Sequence, residues 1–368
     1  DGIEVAYDRA GSMPPARRVD ASPSTSQAAA HAYAPERSLR IVALGGGTGL
    51  PAVLDGLCRG GADADSVTAV VTVTDDGGSS GRLRRELGVL PPGDARNCVA
   101  AGTDADSPFR QLLQHRFQGS PGLDGHTVGN LLLVALSQIT GDFPTAVQTL
   151  SQLVQSRARV LPATRENVRL RAEMASGEVR VGETDIVGSR NGVRRLWLDP
   201  SPRPLPEALH ALVNADGIVV GPGSLYTSVM PNLLIEGIAA TLSAVRGVRI
   251  YVANLMTEPG ETDGYSLDDH LRVIRTHTGY DLFDYVLVNQ HAPAPAVAER
   301  YAAEGGYPIV ANGRLDWAGC AQVVRCEFVP DCTGVKLRHH PDALARAIRT
   351  AILQGRTNVG FACPPTGC

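Results

Sequence analysis

The sequence predicts an α/β fold: a Rossmann-like, mostly parallel sheet with a mainly helical insertion. Five apolar runs of strand length each end in glycine or polar residues. About one helix separates the first run from the second, and the same spacing separates the last three runs from one another. Continuous apolar runs are typical of parallel strands that helices cover on both faces. The runs are "LRIVALGGGTGL", "VTAVVTVT", "ADGIVVGPGSLYTS", "GVRIYVANLMTEPGET" and "FDYVLVNQ".

The elements follow one another in a recognisable order. Residues 1–37 are rich in Ala, Ser and Pro without periodicity, which is typical of a disordered leader. The first strand, a helical pattern at 50–59 and a strand at 67–74 form a right-handed βαβ unit. Between about 95 and 215, amphipathic helices and a short β-rich piece indicate the insertion. The predicted organisation is a leader (1–37), an α/β domain (38–345), and a C-terminal helix end with a tail (346–368).

Composition excludes several classes of function. A net charge of −4 and a pI near 6.2 give no general attraction to nucleic acid. No apolar run reaches the roughly 18–20 residues that span a bilayer, and no basic-then-apolar signal peptide begins the chain, so we expect a cytoplasmic protein without a membrane span. The seven cysteines include no C-x-x-C pair and are interpreted as reduced thiols.

The first strand runs into a glycine loop. Gly45 and Gly47 begin a dinucleotide fingerprint, but Leu50 stands where its third glycine belongs. Bare backbone at a helix N-terminus lets phosphate oxygens approach the N–H groups, whereas the alternative is a tight turn that only packs strand on helix. The candidate phosphate-binding residues are Gly45, Gly46, Gly47, Thr48 and Gly49.

The second strand ends in an acidic loop, "VTDDGGSSGRLRRELG". Carboxylates at the end of a parallel strand hold ribose hydroxyls or Mg²⁺, although Asp-Asp-Gly is also a common turn. Arg82 and Arg85 share a helix face that either clamps phosphate or is simply solvated. The candidate ligand-binding residues are Asp75, Asp76, Gly77, Gly78, Ser79, Ser80 and Arg82, with Asp75 and Asp76 as the candidate Mg²⁺ ligands.

Polar residues at two helix starts in the insertion are further candidates. Asp94 and Asn97 lie in "PPGDARN", where capping of the next helix alone would explain Asp94. His126 and Asn130 are four residues apart, which places both on one face of an apolar helix. Packing or capping is the alternative for His126.

A second glycine-rich loop, "GPGSLYTSVMPN", follows the third apolar run. Its glycines and hydroxyls are suited to an anion, and Tyr226 is a candidate to stack on a base or sugar. Asn254 follows the next strand. The ends of parallel strands lie at one sheet edge, so these loops are expected to form one site. The candidates are Gly221, Gly223, Ser224, Leu225, Tyr226, Thr227 and Asn254.

Five motifs, taken together, resemble the YvcK or gluconeogenesis factor family of the CofD-like superfamily. They are "GGGTGL", "VTVTDDGGSSGRLRRELGVLPPGDARN", "GHTVGNLLL", "GPGSLYTSVMPNLL" and "MTEPGET", within about residues 39–330. The resemblance implies a bacterial cytoplasmic protein that binds UDP-sugars such as UDP-N-acetylglucosamine. It also implies a role in growth on gluconeogenic carbon sources, in cell shape and in peptidoglycan synthesis. The contacts it implies lie in Gly45–Gly49, Asp75–Ser80 and Gly221–Ser228.

The alternative is an enzyme, because CofD itself is a Mg²⁺-dependent transferase of a phospholactyl group from a guanosine diphosphate donor. Binding and transfer require the same phosphate-holding groups, so the residues alone do not decide between them. The motifs are those of the YvcK branch, which favours a regulatory binding protein with regulatory protein partners or a homo-oligomeric state. An NAD-linked oxidoreductase rests only on the incomplete glycine fingerprint.

Overall fold

The computed structural model describes residues 38–59, 65–119, 121–190, 192–311, 315–316, 319, 321–329 and 336–357. The predicted leader at 1–37 and the part of the predicted tail beyond 357 lie outside the described residues.

The main sheet has seven strands, and every neighbouring pair is parallel. This confirms the predicted fold class. The strands are β1 (Arg40–Gly45), β2 (Ser66–Val71), β3 (Arg159–Pro162), β7 (Gly217–Val220), β8 (Val248–Val252), β9 (Tyr285–Asn289) and β10 (Gln322–Cys326).

The strand order is β10-β9-β8-β7-β1-β2-β3. The chain starts at β1, moves outward to β3, and then returns to the other side of β1 to continue from β7 to β10. The direction of winding therefore reverses between β1 and β7. In open α/β sheets, ligands bind in the crevice at the carboxyl ends of the strands at such a switch point.

Helices cover the sheet and form most of the predicted insertion. The core is continuous from β1 to the first helix, whose Leu50, Val53, Leu54 and Leu57 are buried at the spacing of one helix face. None of the described helices combines the length and apolar composition that crossing a membrane requires. The helices are α1 (Gly49–Leu57), α2 (Gly78–Leu87), α3 (Gly93–Gly102), α4 (Pro108–Gln114), α5 (Val128–Thr140), α6 (Phe143–Leu153), α7 (Glu183–Ser189), α8 (Pro206–Val213), α9 (Met230–Leu233), α10 (Ile238–Ala244), α11 (Leu267–Thr278), α12 (Pro295–Glu304) and α13 (Pro341–Thr357), with a π-helical turn at Leu225–Val229.

A small antiparallel sheet follows β3. Its strands β4 (Arg169–Met174), β5 (Val179–Val181) and β6 (Val193–Asp199) are ordered β5-β4-β6, and α7 connects β5 to β6. β5, α7 and β6 fall within the predicted β-rich piece, "GEVRVGETDIVGSRNGVRRLWLD", whereas β4 precedes it.

Two strands of the main sheet, β3 and β10, were not among the five apolar runs. Both lie at the sheet edges. An edge strand has one unpaired side and tolerates proline or polar residues: β3 is "RVLP" and β10 is "QVVRC". Neither has the continuous apolar run by which the central strands were identified.

Candidate functional site

The two glycine loops meet at the switch point. A Cβ atom built on Gly49 would lie 2.1 Å from the carbonyl oxygen of Pro222, and one on Gly47 would lie 3.2 Å from Ser228 Oγ. Gly47 has φ of +61°, a backbone conformation that favours glycine. The loop after β1 therefore packs directly on the loop after β7.

The accessible surface of this region comes from three loops. Gly47–Gly49, Asp75–Gly78 and the pair Gly223 and Ser224 are partly or fully exposed, whereas the residues that flank them are buried. No side chain caps the N-terminus of α1 or α2. The first N–H groups of a helix have no acceptor within the helix itself, and they are suited to bind an anion.

Asp94 lies beneath the first glycine loop. It does not cap α3, whose N-cap is Pro92; its carboxyl accepts the backbone N–H of Gly47 instead. A Cβ on Gly46 would lie 2.6 Å from Asp94 Oδ2. Burial, followed by the charge of Asp75, raises the pKa of Asp94 to about 7.

Asp75, in the loop after β2, is half-buried and close enough to Asp94 for the two charges to interact. Its pKa is raised, mainly by burial, although the N–H of Gly77 and the hydroxyl of Ser80 both donate to it. A Cβ on Gly93 would lie 2.4 Å from Ser80 Oγ and 2.9 Å from Asp75 Oδ2. Glycine at 93 therefore lets the start of α3 approach Asp75.

Asp76 turns away from Asp75. Its Oδ1 accepts the N–H and the hydroxyl of Thr184, at 3.1 and 2.8 Å, at the start of α7. A Cβ on Gly182, which has φ of +97°, would lie 1.9 Å from Asp76 Oδ2. Asp76 thus holds the small sheet to the loop after β2. A metal held by Asp75 and Asp76 together stays a prediction.

Glu183 is an acidic residue that sequence reasoning did not select. The hydroxyl of Thr74 donates to Glu183 Oε1 at 2.6 Å. Burial first, and then the charges of Asp75 and Asp94, raise the pKa of Glu183 well above its usual range. No motif in "VGETDIVG" signals this position, since it depends on how the small sheet packs against the end of β2.

His126 and Asn130 converge on Ser79. His126, however, precedes α5, whose N-cap is Thr127, so the predicted placement of both residues on one helix face is wrong. Ser79 Oγ lies 2.8 Å from His126 Nδ1 and accepts Asn130 Nδ2 at 3.0 Å. Arg96 Nε donates to Asn130 Oδ1 at 3.2 Å. Burial, then the charge of Arg82, lowers the pKa of His126, which favours the neutral imidazole. Asn97 lies half-buried on α3.

The three arginines of α2 have different positions. Arg85 is exposed, and Arg82 is half-buried and donates to the carbonyl of Asp124. The buried one is Arg84, which donates to Asn167 Oδ1 at 2.6 Å and to the carbonyls of Val168 and Thr74. Arg84 therefore joins α2 to the start of β4 and has a structural role.

Arg84→Ala is expected to lower the free energy of unfolding by about 2–4 kcal/mol, because buried acceptors lose their donor. Arg85→Ala is the matched control on the same helix and should stay within about 0.5 kcal/mol of the wild type. Urea denaturation followed by circular dichroism measures both. Equal stability of the two variants would contradict the assigned role of Arg84.

The second glycine loop is supported from β8. Asn254 Oδ1 accepts the N–H of Gly223, and its Nδ2 donates to the carbonyl of the same residue, both at 2.9 Å. Ser224 Oγ donates to Glu258 Oε2 at 2.5 Å. Asn254 thus positions the loop through its backbone and leaves the exposed face of the loop open.

Tyr226, with Leu225 and Thr227, lies inside the protein rather than at the site surface. The Tyr226 ring is fully buried, and its hydroxyl lies 2.9 Å from that of Tyr265. The stacking role suggested for Tyr226 therefore does not fit its position, because no face of the ring is open to a ligand. An aromatic residue after a glycine turn does not reveal from sequence alone whether it points outward or into the core.

Comparison with known proteins places the chain among described relatives. The sequence model of the CofD family, described as 2-phospho-L-lactate transferase CofD, matches residues 41–328. A gluconeogenesis factor of Halalkalibacterium halodurans is 41% identical over 317 residues, which cover 86% of this chain and 96% of that protein. The gluconeogenesis factor of Bacillus subtilis is 43% identical over 271 residues, covering 73% of this chain and 84% of the relative.

A solved structure agrees with these matches. The crystal structure of a UPF0052 family protein from Bacillus halodurans (BH3568) superposes with a TM-score of 0.80 at 40% identity. It covers 85% of this chain and 99% of that protein. The similarity therefore extends over the main sheet and the insertion together.

Proposed function

The chain belongs to the CofD family and, within it, to the gluconeogenesis factors of the YvcK type, and from that premise we propose that it is a regulatory protein that binds a nucleotide sugar of the UDP-N-acetylglucosamine type. In this proposal it acts in the cytoplasm and links nucleotide-sugar supply to growth on gluconeogenic carbon sources, to cell shape and to cell-wall synthesis.

One observation carries the proposal: two glycine loops with uncapped neighbouring helices meet at the switch point of a parallel sheet. Open backbone N–H groups at that place fit the diphosphate of a nucleotide. The exposed residue Thr48 and the half-buried Ser224 add hydroxyl oxygens at the same surface. These groups supply hydrogen bonds without the lysine of a Walker loop.

The carboxylates of Asp75 and Asp94 are suited to hold a Mg²⁺ ion that binds together with the nucleotide. Asp75 and Asp94 lie beside the phosphate-binding loop, and two carboxylates there would repel a phosphate unless a cation lay between them. Mg²⁺ is commonly held by one or two carboxylates together with phosphate oxygens. The described residues contain no group of three or more His, Cys, Asp or Glu side chains suited to a metal, so the ligand itself would have to complete the coordination. When bound, the ion would neutralise phosphate charge.

The alternative is a Mg²⁺-dependent transferase that acts on a nucleotide-diphosphate-linked donor, in keeping with the name of the matched family. The specific observation in its favour is His126, whose lowered pKa leaves a neutral imidazole beside Ser79. A neutral imidazole is able to accept the proton of an attacking hydroxyl. Binding alone makes no use of such a base.

Titration calorimetry with UDP-N-acetylglucosamine is expected to give saturable heat in the micromolar range, about 1–100 µM, when Mg²⁺ is present. Asp75→Asn should weaken this binding at least about 10-fold, because one of the two carboxylates that face the cation is lost. Asp106→Asn, on an exposed loop, is the matched control and should bind as the wild type does. An absence of saturable heat with and without Mg²⁺ would remove the proposal.

Phosphorus NMR of the same mixture separates binding from transfer. Shifted or broadened ligand resonances without new peaks support a nucleotide-sugar-binding regulator. A product peak that grows with time, with either this ligand or a guanosine diphosphate donor, would establish the transferase instead.

A further inference from the structure

A polar cavity lies along one edge of the main sheet, apart from the glycine loops. Its volume is about 490 Å³, and its walls are α6, β3 and the start of α8. β3 is an edge strand of the described sheet, and β2 separates it from β1, where the first glycine loop begins. No residue of the two glycine loops lines this cavity. Any ligand of the cavity is therefore distinct from the proposed nucleotide.

One side of α6 forms a polar wall of the cavity. Val147 and Leu150 of this helix pack in the core. Gln148 and Gln152, four residues apart, are exposed on another side of the helix and line the cavity, and Gln155 continues this row after the helix ends. Within the part of the chain that the structure describes, the side-chain amides of these three glutamines have no hydrogen-bond partner. Their N–H₂ groups and carbonyl oxygens are available to a polar ligand.

Gln155 has an unusual backbone conformation for its residue type. Its φ is +54°, in the left-handed region, and the N–H of Ser156 donates to the carbonyl of Ser151, which is the pattern of a helix end that glycine usually occupies. Gly141 has this conformation at the end of α5, with φ of +70°. A side chain in this conformation lowers stability relative to glycine. Residues with such backbones occur preferentially at binding sites, and the Gln155 side chain lines the cavity.

One end of the cavity is cationic. Arg157 and Arg159 line it where α6 has ended and β3 begins. Arg157 is already engaged, since it donates to the carbonyl of Cys58 and pairs with Asp104 at 2.9 Å. Arg159 is exposed, and it has no ion-pair or hydrogen-bond partner among the described residues. The end of the cavity that carries Gln155 therefore also has a guanidinium group that is free to bind an anion.

The opposite end of the cavity carries both signs of charge. The N–H of Leu205 donates to the carbonyl of Ala163, which places the start of α8 beside the end of β3. Arg165 and Glu207 line the cavity there. Asp142 lines it at the start of α6, which it caps, and the start of α6 lies toward the end of β3 because the helix turns directly into that strand. The two carboxylates repel an anion but accept hydrogen bonds from hydroxyl groups.

The edge of β3 is poorly suited to a peptide that adds a further strand. β3 has four residues and ends in Pro162, which has no N–H. The carbonyl of Ala163, directly after it, already accepts the N–H of Leu205. Strand addition requires a row of free backbone groups, whereas this cavity presents free side chains. The lining therefore fits a small polar ligand better than a peptide.

We propose that this cavity binds a sugar phosphate. A phosphate monoester carries about −1.5 to −2 charges at pH 7, which suits the free guanidinium of Arg159. The hydroxyls of the sugar suit the amides of Gln148 and Gln152 and the carboxylate of Glu207. A simple carboxylic acid would pair with Arg159 but would leave the row of amides without hydroxyl partners.

Titration calorimetry of the full chain with glucose 6-phosphate tests the proposal. One molecule should bind with a Kd of about 0.01–1 mM, at least about 10-fold tighter than inorganic phosphate or glucose alone. Arg159→Gln should weaken this binding at least about 10-fold, because the phosphate loses its free cation. Arg246→Gln is the matched control: Arg246 is also exposed and lies shortly before a strand of the same sheet, β8, but outside the cavity, so its replacement should leave the affinity unchanged.

Gln155→Gly separates a binding role from a structural one. Glycine suits the φ of +54°, so the Tm of the variant should equal or exceed that of the wild type. Its affinity for glucose 6-phosphate should nevertheless fall at least about 3-fold, because the side-chain amide is lost. Neither Gln155→Gly nor Arg159→Gln should change the affinity for UDP-N-acetylglucosamine, so this proposal and the proposed function can fail separately.

Three results would contradict the proposal or a part of it. An absence of saturable binding of glucose 6-phosphate, or binding that is unchanged in Arg159→Gln, would overturn the site. Equal affinities for inorganic phosphate and glucose 6-phosphate would overturn the recognition of the sugar. Unweakened binding in Gln155→Gly would overturn the role of the Gln155 side chain.

Discussion

Asp94→Asn is expected to make the ligand-free protein more stable above pH 7 while removing its stabilisation by Mg²⁺. Asp94 is buried, and its pKa in the folded protein is about 7. A carboxyl whose pKa is higher in the folded state than in the unfolded state holds its proton more tightly when folded. The free energy of unfolding therefore falls as pH rises from about 4 to about 7 and stays low above that range.

The neutral amide avoids this loss. The folded-state pKa is about three pH units above the unfolded value, and each unit corresponds to about 1.4 kcal/mol, so the gain at pH 8 is on the order of 2–4 kcal/mol. The amide oxygen still accepts the N–H of Gly47, and the NH₂ group replaces a repulsive charge beside Asp75. Below about pH 4, Asp94 is protonated in both the folded and the unfolded protein, so wild type and variant should have equal free energies of unfolding.

Differential scanning calorimetry of both proteins across this pH range, with and without Mg²⁺, measures the effect. We expect the Tm of the variant at pH 8 to be higher by about 5 °C or more without metal. Mg²⁺ added together with UDP-N-acetylglucosamine should raise the Tm of the wild type only, because the ligand completes the coordination of the ion. Asp106→Asn, which removes an exposed carboxyl, should change neither result. A variant less stable than the wild type at pH 8 would show that the Asp94 charge is compensated in the ligand-free protein.

Most of the central sheet is predictable from sequence because its strands are buried on both faces. The segments around β1, β2, β7, β8 and β9 are long apolar runs, and apolar runs of strand length between glycine and polar residues are typical of buried parallel strands. The edge strands β3 and β10 each have a neighbouring strand on one side only, and they lack this pattern. Their assignment depends on pairing with strands that are distant in sequence, which no local window contains.

The location of the site is predictable for a related reason. Loops that follow parallel strands lie at one edge of the sheet, and the structure brings the loops at Gly45–Gly49 and Gly221–Ser228 into contact. The role of each side chain is harder to predict from sequence. Arg82, Arg84 and Arg85 look alike in sequence, and Arg84 is the buried one only because α2 packs on residues 167–168.

The role of Asp94 is also not predictable from sequence alone. An aspartate near a helix start is a common cap, and sequence reasoning left capping and ligand binding as equal alternatives. The structure supplies the deciding contact, the N–H of Gly47, which lies 47 residues earlier in the chain. A residue type with two common roles is resolved by its tertiary partner rather than by its neighbours in sequence.

Gly49→Ala is expected to destabilise the fold and to abolish nucleotide binding, although intrinsic propensity points the other way. Gly49 is the first residue of α1, where alanine is the better helix former by about 1 kcal/mol. The added methyl group, however, would lie 2.1 Å from the carbonyl oxygen and 2.6 Å from the carbonyl carbon of Pro222. Both are backbone atoms, so the contact is relieved only if the two glycine loops separate.

The steric effect should exceed the gain in helix propensity, with a net loss of about 2–4 kcal/mol in the free energy of unfolding. Gly45→Ala is the matched control in the same loop: its methyl group would lie 3.4 Å from Leu50 Cβ, an ordinary contact, and its stability should stay within about 1 kcal/mol of wild type. Urea denaturation and calorimetry with UDP-N-acetylglucosamine measure stability and binding separately. If Gly49→Ala were as stable as Gly45→Ala and bound the ligand normally, the two loops would not need their close contact. The close contact between the loops after β1 and β7, on which the proposed site rests, would then not be required for ligand binding.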